Sequence, residues 1–175
     1  MTMSPRLRKI ALTAHVTVSV GWIGAVAAFL ALAVGGLTSQ DAQMVRAAYL
    51  GAEVTTWFVI VPLCLASLLT GLVSSLGTTW GVFRYYWVLF KLVMTALSTV
   101  ILLVHTQTIS YVARVATATT MSGADLTQLR IQLVGYAVAA LVVLLVATTL
   151  SIYKPRGMTR YGWRKQHEQR TVLAP

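Results

Sequence analysis

Residues 131–153 read IQLVGYAVAALVVLLVATTLSIY, twenty-three residues without a charge, bracketed by Arg130 and Lys154. A helix needs roughly 20 apolar residues to cross a hydrocarbon core about 30 Å thick. In lipid the backbone must satisfy its own hydrogen bonds, so a stretch of this kind is read as a helix. Three further stretches pass the same test. Residues 10–40 between Lys9 and Asp41, 54–83 between Glu53 and Arg84, and 92–113 between Lys91 and Arg114 carry no charge. Period-two alternation, the mark of a membrane barrel, is absent. Only 10% of the residues are charged, against about 25% in a typical soluble domain. The expected fold is an all-α membrane protein, an antiparallel bundle of four transmembrane helices at about 10–37, 51–76, 85–112 and 130–153. A basic tail, 154–175, follows the transmembrane domain of residues 1–153.

The charges give an orientation. Arg6, Arg8 and Lys9 precede the first span, Arg84 lies between the second and third, and Lys154, Arg156, Arg160, Arg164, Lys165 and Arg170 follow the last. Ten of the fourteen basic residues therefore fall on one side if the termini share it. Positive charge marks the cytoplasmic face. The expectation is a multi-pass protein of the plasma membrane with both termini in the cytoplasm. The net charge of +10 then reflects topology and contact with anionic headgroups, not nucleic-acid binding. Trp80, Tyr85, Tyr86, Trp87, Tyr153, Tyr161 and Trp163 form an aromatic belt at the inner interface. The first span resembles a signal peptide in its basic start, but its uncharged run is too long for one.

Local signals refine the boundaries. Gly35-Gly36 punctuate the end of the first helix, and the connection 38–50, expected to be partly helical, carries Asp41 and Arg46. Pro62 removes one backbone hydrogen bond inside the second helix and predicts a kink. The connection 77–84 is short and favours adjacent helices running in opposite directions. The second outer connection, 113–129, includes Ser122-Gly123-Ala124-Asp125. Lys154-Pro155 ends the fourth helix, because a residue before proline avoids the helical region. Cys64, the single cysteine, is expected to pack within the second helix.

Ionisable groups inside a span are costly and mark candidate function. There are four: His15, Lys91, His105 and Glu53, the last near the outer boundary. His15 is six residues past Lys9 and Lys91 seven past Arg84. At about 1.5 Å per residue the two lie at similar depth, roughly 9–10 Å in. His105 stands fourteen residues beyond Lys91, on the same helix face and roughly 21 Å further out. Trp87, Thr95, Ser98 and Leu102 fall close to that face, giving a mostly polar stripe expected to face the bundle interior. On the first helix His15 shares a face with Ser19 and Trp22. The expected arrangement is an inner pocket of His15, Ser19, Trp22 and Lys91, and a secondary polar site of His105, Glu53 and Ser98.

A neutral imidazole suits haem iron, and four-helix bundles hold cofactors between facing helices. The inner pocket is therefore a candidate haem b site. His15 would be the axial ligand and Lys91 a second ligand or a partner for a propionate. Copper has little support: the six methionines do not cluster and no Cys-x-x-Cys occurs, so soft ligands are scarce. Phosphate loops, metalloprotease helices and nucleophile elbows are also absent. A cofactor-free accessory subunit or scaffold is the main alternative. Gly21, Gly24 and Ala28 would then pack against partner helices or a second copy. A proton or small-solute pathway along the Lys91–His105 stripe is a third reading.

The segment His15 to Gly24, HVTVSVGWIG, resembles the first-helix signature of the HemJ-type protoporphyrinogen oxidases and of CopD-like membrane proteins. The first of these families pairs a first-helix histidine with a third-helix lysine. His15 and Lys91 occupy those two positions. The resemblance implies haem b at these residues, and electron transfer or oxidation of a lipophilic substrate such as a porphyrinogen or quinol. Lys91 to Ala113 and Tyr153-Lys154-Pro155-Arg156-Gly157 resemble an actinobacterial family of four-helix integral membrane proteins to which no activity is assigned.

Overall fold

The computed structural model describes residues 3–77, 83–117, 124–155 and 157–173. The expected belt residue Trp80, most of the connection 77–84, and Ser122-Gly123 lie outside them. Four long helices carry the chain: α1 (Pro5–Thr38), α2 (Ala42–Leu76), α3 (Tyr86–Thr117) and α4 (Ala124–Tyr153). A shorter fifth helix, α5 (Arg160–Leu173), follows. Each of the first four contains a window apolar enough to cross a membrane, with mean hydropathy from 2.1 to 2.5.

Helices α1, α2 and α4 begin earlier than the apolar runs suggest, and α1 and α3 end later; caps set the starts of α1 and α2. Ser4 accepts from the Leu7 amide at 3.4 Å, and Pro5 takes the first helical position, where it sacrifices no bond. Asp41 accepts from the Gln43 amide at 2.9 Å and starts α2 at Ala42. The expected connection over 38–50 is thus only residues 39–41. The polar residues there sit on the outside of a helix whose other face buries Val45, Ala48, Tyr49 and Ala52. The outer connection expected over 113–129 also shrinks, since α3 continues to Thr117 and α4 starts at Ala124. At the other end α4 stops at Tyr153, as the Lys154-Pro155 signal requires. Lys154 adopts a positive φ of 43° and donates its amide to the Leu150 carbonyl.

Pro62 has a larger effect than a kink. Residues Thr56–Ile60 form a π turn, in which the Val61 amide reaches back to the Thr56 carbonyl. The proline ring and its missing N–H leave the preceding turn unable to close normally, and the helix widens to absorb one residue.

Helix α1 packs on α2 along its length and on α4, while α3 packs on α2 and α4. Helices α1 and α3 therefore occupy opposite corners of the bundle. Contacts between α1 and α2 descend one helix as they ascend the other: Gly36 with Tyr49, Gly21 with Leu63, Ser19 with Ser67, His15 with Gly71. The interior joins Trp22, Phe29, Tyr49, Cys64, Val112 and Leu133 to small residues such as Ala25, Ala33, Ala52, Ala113 and Ala137. Small side chains let backbones approach closely, which is the main source of helix attraction in lipid. Cys64 is fully buried, and its thiol points at the Val61 carbonyl. The outside is unusually apolar, with Phe58 77% and Ile152 71% exposed. Water would not tolerate so much apolar surface, and a bilayer would cover it.

The tail is not a loose extension. Residue Tyr85 pairs with Met158 in a short antiparallel bridge, the Tyr86 amide donates to Gly157, and the Thr159 amide donates to Arg84. Helix α5 is thereby docked on the segment that starts α3. Gly162 is buried there, so close that a Cβ would lie 2.6 Å from the Arg84 carbonyl oxygen.

Candidate functional site around His15 and Lys91

Helices α1 and α2 meet through a polar ladder. His15 and Ser19, one turn apart on α1, face Thr70 and Ser67 on α2. His15 Nδ1 lies 3.1 Å from Thr70 Oγ1, and the Ser19 and Ser67 hydroxyls are 2.9 Å apart. The direction of the first bond can be worked out. Thr70 has one hydroxyl proton, which it donates to the Ala66 carbonyl at 2.7 Å. Its oxygen can then only accept, so the neutral His15 ring carries its proton on Nδ1. The lone pair is left on Nε2, the nitrogen available to a ligand. Gly71 makes room for the ring, since a Cβ there would stand 3.1 Å from His15 Cε1.

On the opposite side, Lys91 Nζ donates to Ser151 Oγ on α4 at 2.6 Å. Ser151 gives its own proton to the Ala147 carbonyl, so its oxygen is free to accept. The same Nζ lies 5.3 Å from the centre of the Trp87 ring. These bonds hold the amine inside the bundle. No hydrogen bond among the described residues joins Lys91 to His15, consistent with helices at opposite corners. The arrangement is two anchored nitrogens, each tied to a different neighbouring helix. Trp22, 3% exposed, belongs to the apolar core one turn and more along α1.

The second expected site is not assembled as one unit. His105 donates Nδ1–H to the carbonyl of Ile101 at 2.7 Å, and its ring sits 4.1 Å from that of Tyr136 on α4. Glu53 instead lines an open depression with Val54, Trp57 and Phe58. Ser98 is half-buried. No hydrogen bond among the described residues joins these three. The partners of Lys91 and His105, Ser151 and Tyr136, both lie on α4. Thr95 on the expected stripe and Thr99 beside it bond back to carbonyls one turn earlier and offer no free donor.

Sequence reasoning missed Thr70, Ser67, Gly71 and Ser151. A Ser-x-x-Thr-Gly run within an apolar helix was the available signal for the first three. It also read Arg130 only as a boundary charge. In the structure Arg130 donates Nε–H to Tyr49 Oη at 2.8 Å and a second N–H to the Gly36 carbonyl, with its guanidinium 5.3 Å from the Tyr49 ring centre. This clasp ties α1, α2 and α4 together at the end opposite the His15 ladder.

Among the described residues no three His, Cys, Asp or Glu side chains converge. A metal held wholly by such ligands is therefore not what this site offers, whereas a haem iron needs only one or two protein ligands. The chain matches no family model, no curated protein and no solved structure.

Proposed function

We propose that this is a plasma-membrane protein that binds b-type haem in the inner half of an antiparallel four-helix bundle, with both termini in the cytoplasm. The topology is supported by contacts that gather Met3 with Gly77, Tyr86 with Gly157 and Arg84 with Thr159. These are the regions where the basic residues concentrate. The observation that carries the haem reading is the Thr70 hydroxyl. It fixes the His15 tautomer and orients the ring, as partners behind metal-bound histidines do. The donor set supports this reading: one imidazole with its lone pair on Nε2 and one half-buried amine expected at similar depth.

His15 would hold the iron. Lys91, already committed as a donor to Ser151, suits a propionate carboxylate better than a second axial position. Ser19 and Trp22 would line the His15 side. Bound haem would supply one-electron chemistry, used for electron transfer or to oxidise a lipophilic substrate such as a porphyrinogen or quinol. The accessory-subunit reading has one observation in its favour: Gly24 has nothing within 4 Å of a Cβ, and Ala28 beside it is exposed, leaving a small-residue face open.

The test is the reduced-minus-oxidised visible spectrum of detergent-purified protein beside His15→Ala. Sharp haem b bands that vanish in the variant support the assignment. A wild type that stays colourless after haem is added removes it and leaves the accessory role.

A further inference from the structure

Glu53 is the one carboxylate in the four candidate spans among the described residues. No described residue gives it a hydrogen bond or ion pair. It lines an open surface depression with Val54, Trp57 and Phe58. The two aromatics follow one turn after the carboxylate and stay 46% and 77% exposed. Trp57 is fixed in place, since its indole N–H donates to Ser110 Oγ on α3 at 3.3 Å. The π turn at Thr56–Ile60 begins three residues beyond Glu53 and includes both aromatics. Such turns recur at functional sites, where they re-aim side chains.

A carboxylate beside exposed aromatic rings, opening toward lipid, matches one ligand chemistry. The negative charge pairs with a cation, the ring faces attract it further, and the apolar surroundings suit a hydrophobic body. We infer that the Glu53–Trp57–Phe58 depression binds a lipophilic organic cation taken from the bilayer. The order of charges along α2 argues against a zwitterionic headgroup as the occupant. Arg46 is seven residues nearer the helix start than Glu53, roughly 10 Å closer to the membrane edge. A phospholipid places its phosphate deeper than its ammonium, so it would meet these two residues in the wrong order.

The experiment uses tetraphenylphosphonium and tetraphenylborate, ions of the same shape and opposite charge. Binding to the detergent-purified full chain is measured by equilibrium dialysis for wild type, Glu53→Gln and Phe58→Ala. The expected result is saturable binding of the cation alone, weakened about tenfold or more in Glu53→Gln and less in Phe58→Ala. Phe58 is the most exposed of the group, so Phe58→Ala keeps the test open if Glu53→Gln does not fold. Equal binding of both ions, or cation binding unchanged in a folded variant, overturns the inference. Displacement of the cation by added phosphatidylethanolamine also overturns it, in favour of a headgroup site. None of these outcomes depends on whether haem is bound at His15.

Discussion

Gly36→Ala and Gly35→Ala are neighbouring substitutions that should move stability in opposite directions. A Cβ on Gly36 would fall 2.8 Å from Tyr49 Cε2, 2.9 Å from Cζ and 3.3 Å from Ala48 Cβ. Carbon atoms pack at about 3.5–4.0 Å, so the ring must retreat by roughly 0.7 Å. It has nowhere to go: Tyr49 is 1% exposed, and its hydroxyl is held by Arg130 at 2.8 Å. Overpacking of this kind costs about 1–3 kcal/mol. Weakening a hydrogen bond to a charged group puts a further share of about 1.5–3 kcal/mol at risk. Replacing glycine within a helix returns about 0.8–1.0 kcal/mol. The balance is a loss of about 2 kcal/mol, or roughly 4–8 °C in melting temperature for a chain of this size. Gly35→Ala meets nothing within 4 Å, so it keeps the helix gain of about 1 kcal/mol and should melt a few degrees higher. Thermal unfolding followed by far-ultraviolet circular dichroism, all variants in one detergent, gives the comparison. A Gly36→Ala protein that melts at or above Gly35→Ala would refute the clasp as a tight three-helix contact.

Other outcomes follow from the same geometry. Thr70→Val removes the acceptor that fixes the His15 tautomer; haem titration should show affinity reduced by about 10–100-fold in a folded protein. Ser151→Ala leaves the Lys91 amine without its acceptor and should cost about 1–3 kcal/mol. The double variant with Lys91→Met should recover most of that loss in thermal unfolding, since no donor is then left unpaired. Gly162→Ala would drive a methyl into the Arg84 carbonyl oxygen, 2.6 Å away. It should undock α5, seen as faster limited proteolysis in the tail with the melting temperature of the bundle unchanged.

The four spans were legible because they depend on composition alone: a charge-free run long enough to cross lipid has few other uses. The end of α4 was legible too, since Lys154-Pro155 acts through local sterics. The start of α2 was in reach but placed nine residues late. Asp41 is a good N-cap, and Val45, Ala48, Tyr49 and Ala52 repeat at helical spacing, yet the polarity of 38–50 suggested a connection only partly helical. The four ionisable residues within the apolar stretches stood out by their cost.

What they bond was decided only by tertiary structure. A side chain's position on its own helix follows from the 3.6-residue repeat. Its partner depends on which helices are neighbours and how they slide past one another, and in lipid small residues and polar contacts spread over the whole interface set that register. So the sequence by itself determined four helices apolar enough to span a membrane, with a few polar residues set along them. Only the packed bundle placed Thr70 against His15, Ser151 against Lys91 and Tyr49 against Arg130. It also set α1 and α3 at opposite corners, so that the histidine and the lysine bond to different neighbouring helices.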